Sequence, residues 1–172
     1  MSFIAPTFDP PLTAVLPSAF LDILRPEYAD VDYKAVVASA EAIRGTFGPG
    51  DEAWPSPHIT YEENLADLVR HEREFHERYA FAYVILDHTK ERYLGCVYLK
   101  PIKTKQFRNQ QQAQFSAQAF LWLSTLHSVV DVELIRLEIA QWFERAWSLP
   151  RVAWPGRTTS WSEWQQLASQ SA

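Results

Sequence analysis

The sequence predicts an α/β (α+β) protein in which helices flank a mixed central sheet. Three observations favour this class. Apolar residues switch between strand spacing and helix spacing along the chain, in the order β-α-α-β-β-β-α-β-α. Two of the predicted helices begin with capping-box sequences. The composition, with 47% hydrophobic and 22% charged residues, is that of a folded globular protein. Because the chain has 172 residues, we expect a single domain over residues 1–172.

The first predicted feature is an extended arm over residues 1–17. Its four prolines forbid a regular helix or a central strand; they are Pro6, Pro10, Pro11 and Pro17. The stretch "AFLDILRP" that follows alternates like a strand, which Pro26 ends. A helix is predicted after Asp30, and Gly45 is a natural stop for it. Its apolar positions are Tyr33, Val36, Val37, Ala40 and Ile43.

A long loop and a second helix come next. The segment "GTFGPGDEAWPSPH" holds three of the five glycines and three prolines, which predicts a loop. Thr60 and Glu63 then form a capping box for a helix. Its predicted buried positions are Leu65, Leu68, Val69 and Phe75. His71 and His76 are five residues apart, so they do not share one side of a helix, and we expect a solvated charged face and no metal site.

The second half of the chain alternates between strands and helices. "FAYVILDHTKERYLGCVYLKPI" reads as an antiparallel hairpin, and "KTKQFRNQQQAQ" reads as a polar connection. "FSAQAFLWLS" is a further strand, followed by the long helix "DVELIRLEIAQWFERAW". The predicted apolar face of that helix comprises Val132, Ile135, Ile139, Trp142, Phe143 and Ala146. "RVAWPG" is a short strand, and Ser160 with Glu163 caps a last helix.

Charge and composition exclude several classes of function. The formal net charge is -5 and no basic stripe is present, which argues against nucleic-acid binding. The N-terminus lacks the pattern of a signal peptide, and no stretch is long and apolar enough to span a membrane, so we expect a cytoplasmic protein. Cys96 is the only cysteine, which excludes an internal disulfide. It lies in an apolar strand pattern, which favours a buried residue over a nucleophile.

The order of elements, with "ILRP" closing the first strand and "YLGCVYL" in the hairpin, resembles the GCN5-related N-acetyltransferase (GNAT) superfamily over about residues 20–170. More narrowly, "ENLADLVRHEREFHERYAFAYVIL", "LGCVYL" and "RVAWPGRTTSWSEW" are similar to a bacterial group of GNAT-like proteins. The resemblance implies a GNAT-like fold, acetyl-CoA as cofactor and an amine, either a small molecule or a peptide, as acceptor.

The resemblance also implies a cofactor site where the strand "FSAQAFLWLS" runs into the long helix. There the backbone of Leu123, Ser124 and Thr125 would pair with pantetheine, because in GNAT folds this strand splays from the next one. The residues implied at the pyrophosphate end are His127, Ser128, Val129 and Val130. Main-chain amides and the positive end of a helix dipole stabilise an anion at such a junction.

This junction departs from the GNAT pattern of Gln or Arg, two residues, Gly, one residue, Gly or Ala. Leu126 stands at the basic position, Val129 at the first glycine and Asp131 at the second. β-Branched valines resist the backbone geometry that glycine permits. Asp131 and Glu133 also place two negative charges in the first helical turn, where they repel pyrophosphate. If the site is retained, cations would have to come from the preceding loop, which offers Lys103, Lys105 and Arg108.

The sequence assigns no catalytic residue. The family's tyrosine after the fifth strand has no counterpart, because residues 158–161 read "TTSW", and the strand "FSAQAFLWLS" has no carboxylate. For the substrate pocket we predict Trp54, Tyr83 and Tyr98. Trp54 lies in the loop that borders the acceptor cleft in GNAT folds, whereas strand tyrosines such as the other two are also common packing residues.

Two functions are therefore open. The first is an acyl-CoA-dependent N-acetyltransferase with a divergent pyrophosphate loop, acting on an unknown amine. The second is a non-catalytic GNAT-fold domain that has lost CoA binding and binds a small ligand or a protein, with the gap beside the strand filled by Trp122 or its neighbours. Neither hypothesis needs a metal, and a homodimer is the expected assembly because two-fold dimers are the commonest oligomers.

Overall fold

The computed structural model describes residues 3–50, 53–103, 108–127 and 131–172. Within these ranges the chain forms six strands and five α-helices. The strands are β1 Thr13–Val15, β2 Phe20–Ile23, β3 Phe81–Leu86, β4 Tyr93–Lys100, β5 Ala117–Leu123 and β6 Val152–Ala153. The helices are α1 Ala29–Ile43, α2 Tyr61–His76, α3 Gln110–Gln114, α4 Val132–Trp147 and α5 Trp161–Ser169. No helix in the described ranges has the length and apolar character needed to cross a membrane.

One mixed sheet organises the molecule, with the strands in sequence order from β1 to β6. The strands pair antiparallel from β1 to β5, and β6 pairs parallel to β5. One face of the sheet packs against α4 through Ile135, Ile139 and Phe143. The other face packs against α1 and α2, through residues such as Val36 and Leu68. The predicted α/β class with a mixed sheet between helices is confirmed.

Two predicted helix starts have the geometry of a capping box. At the start of α2 the hydroxyl of Thr60 accepts a hydrogen bond from the Glu63 N–H, and the Thr60 N–H donates to the Glu63 carboxylate at 2.8 Å. Ser160 and Glu163 form the same reciprocal pair at the start of α5. Such caps satisfy amides that have no partner inside the helix, and each contributes about 0.5–2 kcal/mol.

Two short elements were not predicted. Within the proline-rich arm, β1 pairs with β2 at the edge of the sheet, which is a position that neighbouring prolines tolerate. The segment predicted as a polar connection contains α3, whose start is capped by the side chain of Asn109. The Gln111 amide donates to the Trp164 carbonyl at 2.7 Å. Because side-chain hydrogen bonds hold α3 against α5, the apolar periodicity of the sequence does not indicate this helix.

The buried faces of α1 and α2 differ from the predicted ones. Val69, which was predicted to be buried, is 49% exposed, and so is Val37, one of the apolar positions of the first helix. Polar residues take buried positions on these helices instead: Asp32 and Ser39 on α1, and His71 on α2. The prediction of a solvated face at His71 is wrong, since its side chain packs toward the sheet. Of these three residues, Asp32 and His71 line the second cavity described below.

Strands β4 and β5 approach each other closely at Gly95. Its φ is +152°, and a Cβ atom added there would lie 2.1 Å from the main-chain oxygen of Trp122. Only glycine fits this point, because both the backbone conformation and the close contact exclude a side chain. The close approach fixes the C-terminal part of β5, which borders the first cavity.

Candidate active site

Strands β5 and β6 diverge after two paired residues. The parallel pairs are Ala117 with Val152 and Gln118 with Ala153, where β6 ends while β5 continues to Leu123. The gap beside the rest of β5 is a cavity of about 450 Å³, which we call the β5–β6 cleft. It is lined by Ala42, Ile43, Arg44, Gly45, Thr46, Phe120, Leu121, Trp122, Leu123, Val132, Pro155, Gly156, Arg157 and Trp161. Because main-chain groups alternate between the two sides of a strand, those of Leu121 and Leu123 face the cleft.

An aromatic pair and a glycine shape one side of this cleft. The rings of Phe120 and Trp161 are stacked, with centroids 6.2 Å apart and planes 11° from parallel. Gly156, at φ +79°, lies against the Trp161 indole, and a Cβ added there would be 2.5 Å from the indole nitrogen. The turn between β6 and α5 therefore requires glycine at this position.

Arg157 reaches across the cleft to β5. Its Nη2 donates to the main-chain oxygen of Leu121 at 2.8 Å. Burial lowers the pKa of Arg157 while the nearby Glu133 opposes the change, but a guanidinium remains charged at neutral pH. Trp122, the residue predicted to fill the gap in the non-catalytic alternative, is buried and donates its indole N–H to the Tyr98 hydroxyl at 3.0 Å. Among the described residues, it is therefore the Arg157 side chain, and not that of Trp122, that bonds to the open edge of β5.

The main-chain amides after β5 are engaged within the chain. The Ser124 N–H donates to the Leu94 carbonyl at 2.7 Å and continues the pairing of β5 with β4. The Thr125 N–H donates to the Ser39 hydroxyl at 2.9 Å, and the Leu126 N–H donates to the Ser124 hydroxyl at 3.2 Å. Of the three residues predicted to pair with pantetheine, only Leu123 lines the cleft. Sequence analysis missed the role of Ser39 because it lies on α1, 86 residues from Thr125.

The start of α4 is negatively charged. The Asp131 carboxylate caps the helix by accepting from the Glu133 N–H at 2.9 Å. The Glu133 carboxylate in turn accepts from Nε of Arg136 at 2.7 Å. His127 is half-buried beside this junction, whereas the predicted residues Ser128, Val129 and Val130 lie outside the described ranges.

These observations test the fit of acyl-CoA. The β5–β6 cleft suits the extended pantetheine arm, because β5 presents main-chain groups as an edge strand does. The described part of the pyrophosphate junction does not suit phosphate, since two of its amides are bonded to side chains and Asp131 places a carboxylate at the helix start. Three loop cations were predicted as possible partners of the pyrophosphate. Lys103 and Arg108 are exposed, and Lys105 is not in a described range. The cations that line the cleft itself are Arg44 and Arg157.

A second cavity of about 370 Å³ lies between α1, α2 and the end of β4, and we call it the α1–α2 pocket. It is lined by Asp32, Phe47, Trp54, Asn64, Asp67, Leu68, Arg70, His71, Tyr98 and Lys100. It brings together Trp54 and Tyr98, which were both predicted for the substrate pocket. Tyr83 does not lie there: it packs on the opposite face of the sheet, 5.2 Å from the Trp142 ring, and its hydroxyl donates to the Pro11 carbonyl at 2.6 Å.

Aromatic rings separate the two cavities. The Phe47 ring centroid lies 4.9 Å from that of Tyr98, 5.4 Å from that of Phe120 and 5.3 Å from that of Trp54. Phe120 lines the β5–β6 cleft, while Phe47 lines the α1–α2 pocket. The loop after α1 contributes to both cavities, since Arg44, Gly45 and Thr46 line the cleft. A movement of this loop would change both cavities together.

A buried polar network supports the α1–α2 pocket from the sheet side. The Asp32 carboxylate, only 2% exposed, accepts hydrogen bonds from the Tyr93 hydroxyl and, at 2.7 Å, from the Asn64 amide. Burial raises the pKa of Asp32, and the hydrogen bonds from Tyr93 and Asn64 oppose that rise. Cys96 lies beside this network, fully buried as predicted, and burial raises the pKa of its thiol. A thiol in this state is a poor nucleophile.

His71 is the titratable group of the pocket that sequence analysis placed wrongly. It is 7% exposed, and its Nδ1 lies 3.7 Å from the Glu74 carboxylate. Burial lowers the pKa of His71, so the imidazole is neutral at neutral pH. A signal was present in the sequence, because His71 follows Leu68 by three residues and precedes Phe75 by four, which places it on the buried stripe. Within the described ranges no group of His, Cys, Asp and Glu side chains is arranged to hold a metal ion.

Comparison with known proteins gives structural matches alone, since no family model and no curated protein matches the sequence. A ribosomal-protein-S5-alanine acetyltransferase from Vibrio fischeri matches with a TM-score of 0.58 and 13% identity, over 92% of this chain and 82% of that one. RimL, a ribosomal-protein α-N-acetyltransferase solved with coenzyme A, matches with a TM-score of 0.56 and 14% identity, over 77% and 67% of the two chains.

An acetyltransferase from Salmonella typhimurium, which modifies the N-terminal serine of a 50S ribosomal subunit protein, matches with a TM-score of 0.53 and 11% identity. The match covers 75% of this chain and 65% of that protein, which is less than two thirds of its length. Likeness at such low identity establishes the fold, and function has to be argued from the site. The chain therefore has the fold of the GNAT superfamily, as the sequence predicted.

Proposed function

We propose that the chain is an acyl-CoA-dependent N-acyltransferase whose acyl donor lies in the β5–β6 cleft. The observation that carries this proposal is the early end of β6. It leaves the main chain of Leu121 and Leu123 without a partner strand beside a cavity of about 450 Å³. An extended amide-containing chain can add to such an edge as a further strand would. The solved complex of RimL with coenzyme A, which has the same fold, supports this choice of donor.

Each part of the cleft has a role in this proposal. When bound, acyl-CoA supplies an activated acyl thioester. Leu123 and Leu121 hold the arm by their main-chain groups, and the stacked rings of Phe120 and Trp161 keep water from one side of it. The phosphate end contributes less to affinity, because Asp131 and the bonded amides of the junction do not favour an anion.

The acceptor amine is proposed to enter through the α1–α2 pocket. This pocket adjoins the cleft across the rings of Phe47 and Phe120, and the loop after α1 borders both cavities. The pocket also contains His71, a neutral imidazole that can accept a proton, whereas the described part of the cleft lacks a carboxylate or histidine in its lining.

The proposal is tested by calorimetric titration of the full chain with acetyl-CoA. Ala42 lies in the last turn of α1, is exposed and lines the cleft, so the indole of Ala42→Trp would enter the space of the ligand. We expect this variant to bind acetyl-CoA more weakly by a factor of about ten or more. Ala66→Trp is the matched control, because Ala66 is exposed on α2 away from the cleft.

Turnover is followed by the release of free thiol in the presence of a panel of amines. The single cysteine of the chain is buried, so it adds little background to a thiol assay. Absence of any heat with acetyl-CoA at millimolar concentration would refute the proposal. Equal binding by Ala42→Trp and Ala66→Trp would show that the ligand lies elsewhere.

One observation favours a second candidate, a GNAT-fold domain that does not bind CoA. The guanidinium of Arg157 already bonds to the Leu121 carbonyl, which is a group that pantetheine would use. If this bond is permanent, the cleft is closed at its centre and the fold serves only to present the α1–α2 pocket. The same titration separates the two candidates, because only the acyltransferase binds acetyl-CoA.

A further inference from the structure

We propose that the α1–α2 pocket binds a free α-amino acid with an apolar or aromatic side chain, whose carboxylate pairs with Lys100 and whose ammonium group pairs with Asp67. As the acyl acceptor, this amino acid deepens the proposed function and rests on it, but its binding to the pocket can be measured without any acyl donor. Four observations on the pocket lead to this ligand class.

Within the described ranges, Lys100 is a cation with no carboxylate at ion-pair distance. It is the last residue of β4, half-buried, and it lines the pocket. Throughout the described part of the chain, no carboxylate forms an ion pair or hydrogen bond with its ammonium group. Its Nζ instead lies 4.6 Å from the centre of the Phe47 ring. A partly desolvated ammonium group of this kind is stabilised by a charge-assisted hydrogen bond to an anion such as a carboxylate.

The negative charges of the pocket are only partly used. Arg70 donates to Oδ1 of Asp67 at 2.8 Å and to the Glu74 carboxylate at 3.4 Å, so its guanidinium is paired with two carboxylates. Oδ2 of Asp67 has no hydrogen-bond partner within the described ranges, so it is free to accept from an ammonium group. Asp32 is not available in this way, because its oxygens already accept from Asn64 and Tyr93.

The charge balance selects a zwitterion over a singly charged ligand. Among the side chains that line the pocket, the acids are Asp32 and Asp67 and the bases are Arg70 and Lys100, so their formal charges cancel. A ligand that carries one charge would leave a half-buried pocket with an unbalanced charge, which is costly in a medium of low dielectric. An α-amino acid carries both charges and is neutral overall, so it preserves the balance.

The size and walls of the pocket define the rest of the ligand. Phe47, Trp54, Leu68 and Tyr98 provide apolar surface on several sides. A volume of about 370 Å³ lies near the lower end of the range for small-molecule sites, which is about 300–1,000 Å³. One amino acid with a large apolar side chain fills such a space better than a short peptide does.

His71 gives the bound amine a proton acceptor. Its Nδ1 faces Glu74, and its Nε2 has no hydrogen-bond partner in the part of the chain that the structure describes. The imidazole is neutral because it is buried, so Nε2 can accept the proton that leaves the ligand's ammonium nitrogen. Loss of this proton gives the amine the lone pair that acylation requires.

The test is calorimetry on the full chain with three probes: L-phenylalanine, phenethylamine, which lacks the carboxylate, and 3-phenylpropionate, which lacks the amine. We expect phenylalanine to bind about tenfold or more tightly than either analogue, since each analogue loses one charge-assisted hydrogen bond. L-Leucine and L-tryptophan extend the probe set to other apolar side chains.

Lys100→Met tests the carboxylate contact, because Met keeps the apolar stem and removes the charge. We expect it to weaken phenylalanine binding about tenfold or more and not to weaken the binding of phenethylamine, which has no carboxylate to lose a contact. Lys34→Met is the control, since Lys34 is exposed on α1 outside the pocket. Thermal melts of both variants confirm that they are folded.

Three outcomes would overturn the inference: phenethylamine binds as tightly as phenylalanine, Lys100→Met binds phenylalanine like the parent chain, or none of the three amino acids binds to the folded protein at millimolar concentration. Each is distinct from failure of the proposed function. Binding of acetyl-CoA without binding of an amino acid rejects only this inference. Binding of an amino acid without binding of acetyl-CoA rejects only the acyltransferase.

Discussion

The bond between Arg157 and Leu121 is a single contact that decides how open the β5–β6 cleft is. Nη2 of Arg157 donates to the Leu121 carbonyl at 2.8 Å, and a pantetheine amide would have to take its place. We therefore expect Arg157→Ala to tighten the binding of an acyl-pantetheine, because the ligand no longer has to displace the guanidinium.

The size of this effect follows from the strength of the contact. A hydrogen bond from a charged donor contributes about 1.5–3 kcal/mol when it is buried. Arg157 is exposed as a whole residue, so water screens and partly replaces the contact, which reduces its contribution to about 1 kcal/mol. That value corresponds to roughly fivefold tighter binding.

The assay is calorimetric titration with S-acetylpantetheine, which carries no phosphate, so the loss of a positive charge from the protein does not by itself change its affinity. Arg151→Ala is the control, because Arg151 is an exposed arginine next to β6 that does not line the cleft. Unchanged or weaker binding by Arg157→Ala would refute the idea that this guanidinium competes with the ligand. A gain of similar size in Arg151→Ala would attribute the effect to charge in general.

Two further predictions concern the network and the ion pairs around the α1–α2 pocket. Asp32→Ala leaves the buried donors of Asn64 and Tyr93 without an acceptor, and since each such group costs about 1–3 kcal/mol, urea unfolding should show a loss of about 2–6 kcal/mol. The contact with His71 lowers the pKa of Glu74 from 4.5 to about 2, so stability from this group is present above pH 4.5 and is lost as the pH falls toward 2. Glu74→Gln should therefore flatten the decline of the unfolding free energy between pH 4.5 and 2.

Each of these two predictions has a control variant. Asp32→Asn keeps an acceptor of the same shape, so it should cost less than Asp32→Ala; equal losses would mean that volume matters more than hydrogen bonding. Asp9→Asn, in the N-terminal arm, controls for removal of an acidic charge. If Glu74→Gln and Asp9→Asn change the pH dependence equally, the contact between Glu74 and His71 does not stabilise the fold.

The sequence predicted those parts of the molecule that depend on neighbours along the chain. The caps at Thr60 and Ser160 could be predicted because each pairs two residues that are three positions apart. The long helix α4 could be predicted because apolar residues recur along it at helical spacing. The order of strands and helices along the chain could be predicted because hydrophobic periodicity separates the two, whereas the GNAT fold was implied by the resemblance to that superfamily. The burial of Cys96 followed from the same periodicity.

The side of the sheet or helix on which an individual side chain lies was harder to predict. Tyr83 and Tyr98 lie on strands of one hairpin, but the register pairs Tyr83 with Val97, so the two tyrosines point to opposite faces of the sheet. A shift of one residue in this register would place both tyrosines on the same face, and the sequence does not specify the register locally. Burial of Asp32 and His71 likewise depends on partners from other elements, which an analysis of apolar spacing does not include.

By itself, then, the sequence determined the fold class, the helix starts and the position of a junction that is poorly prepared for phosphate. The side-chain contacts around the cleft and the pocket, in contrast, depend on the tertiary structure. Arg157 reaches the Leu121 carbonyl across 36 residues of chain, Ser39 reaches the Thr125 amide across 86, and the Lys100 ammonium group lies against the Phe47 ring. The physical reason is that hydrogen bonds and charge pairs act over a few ångströms in space, whatever the separation of their residues along the chain.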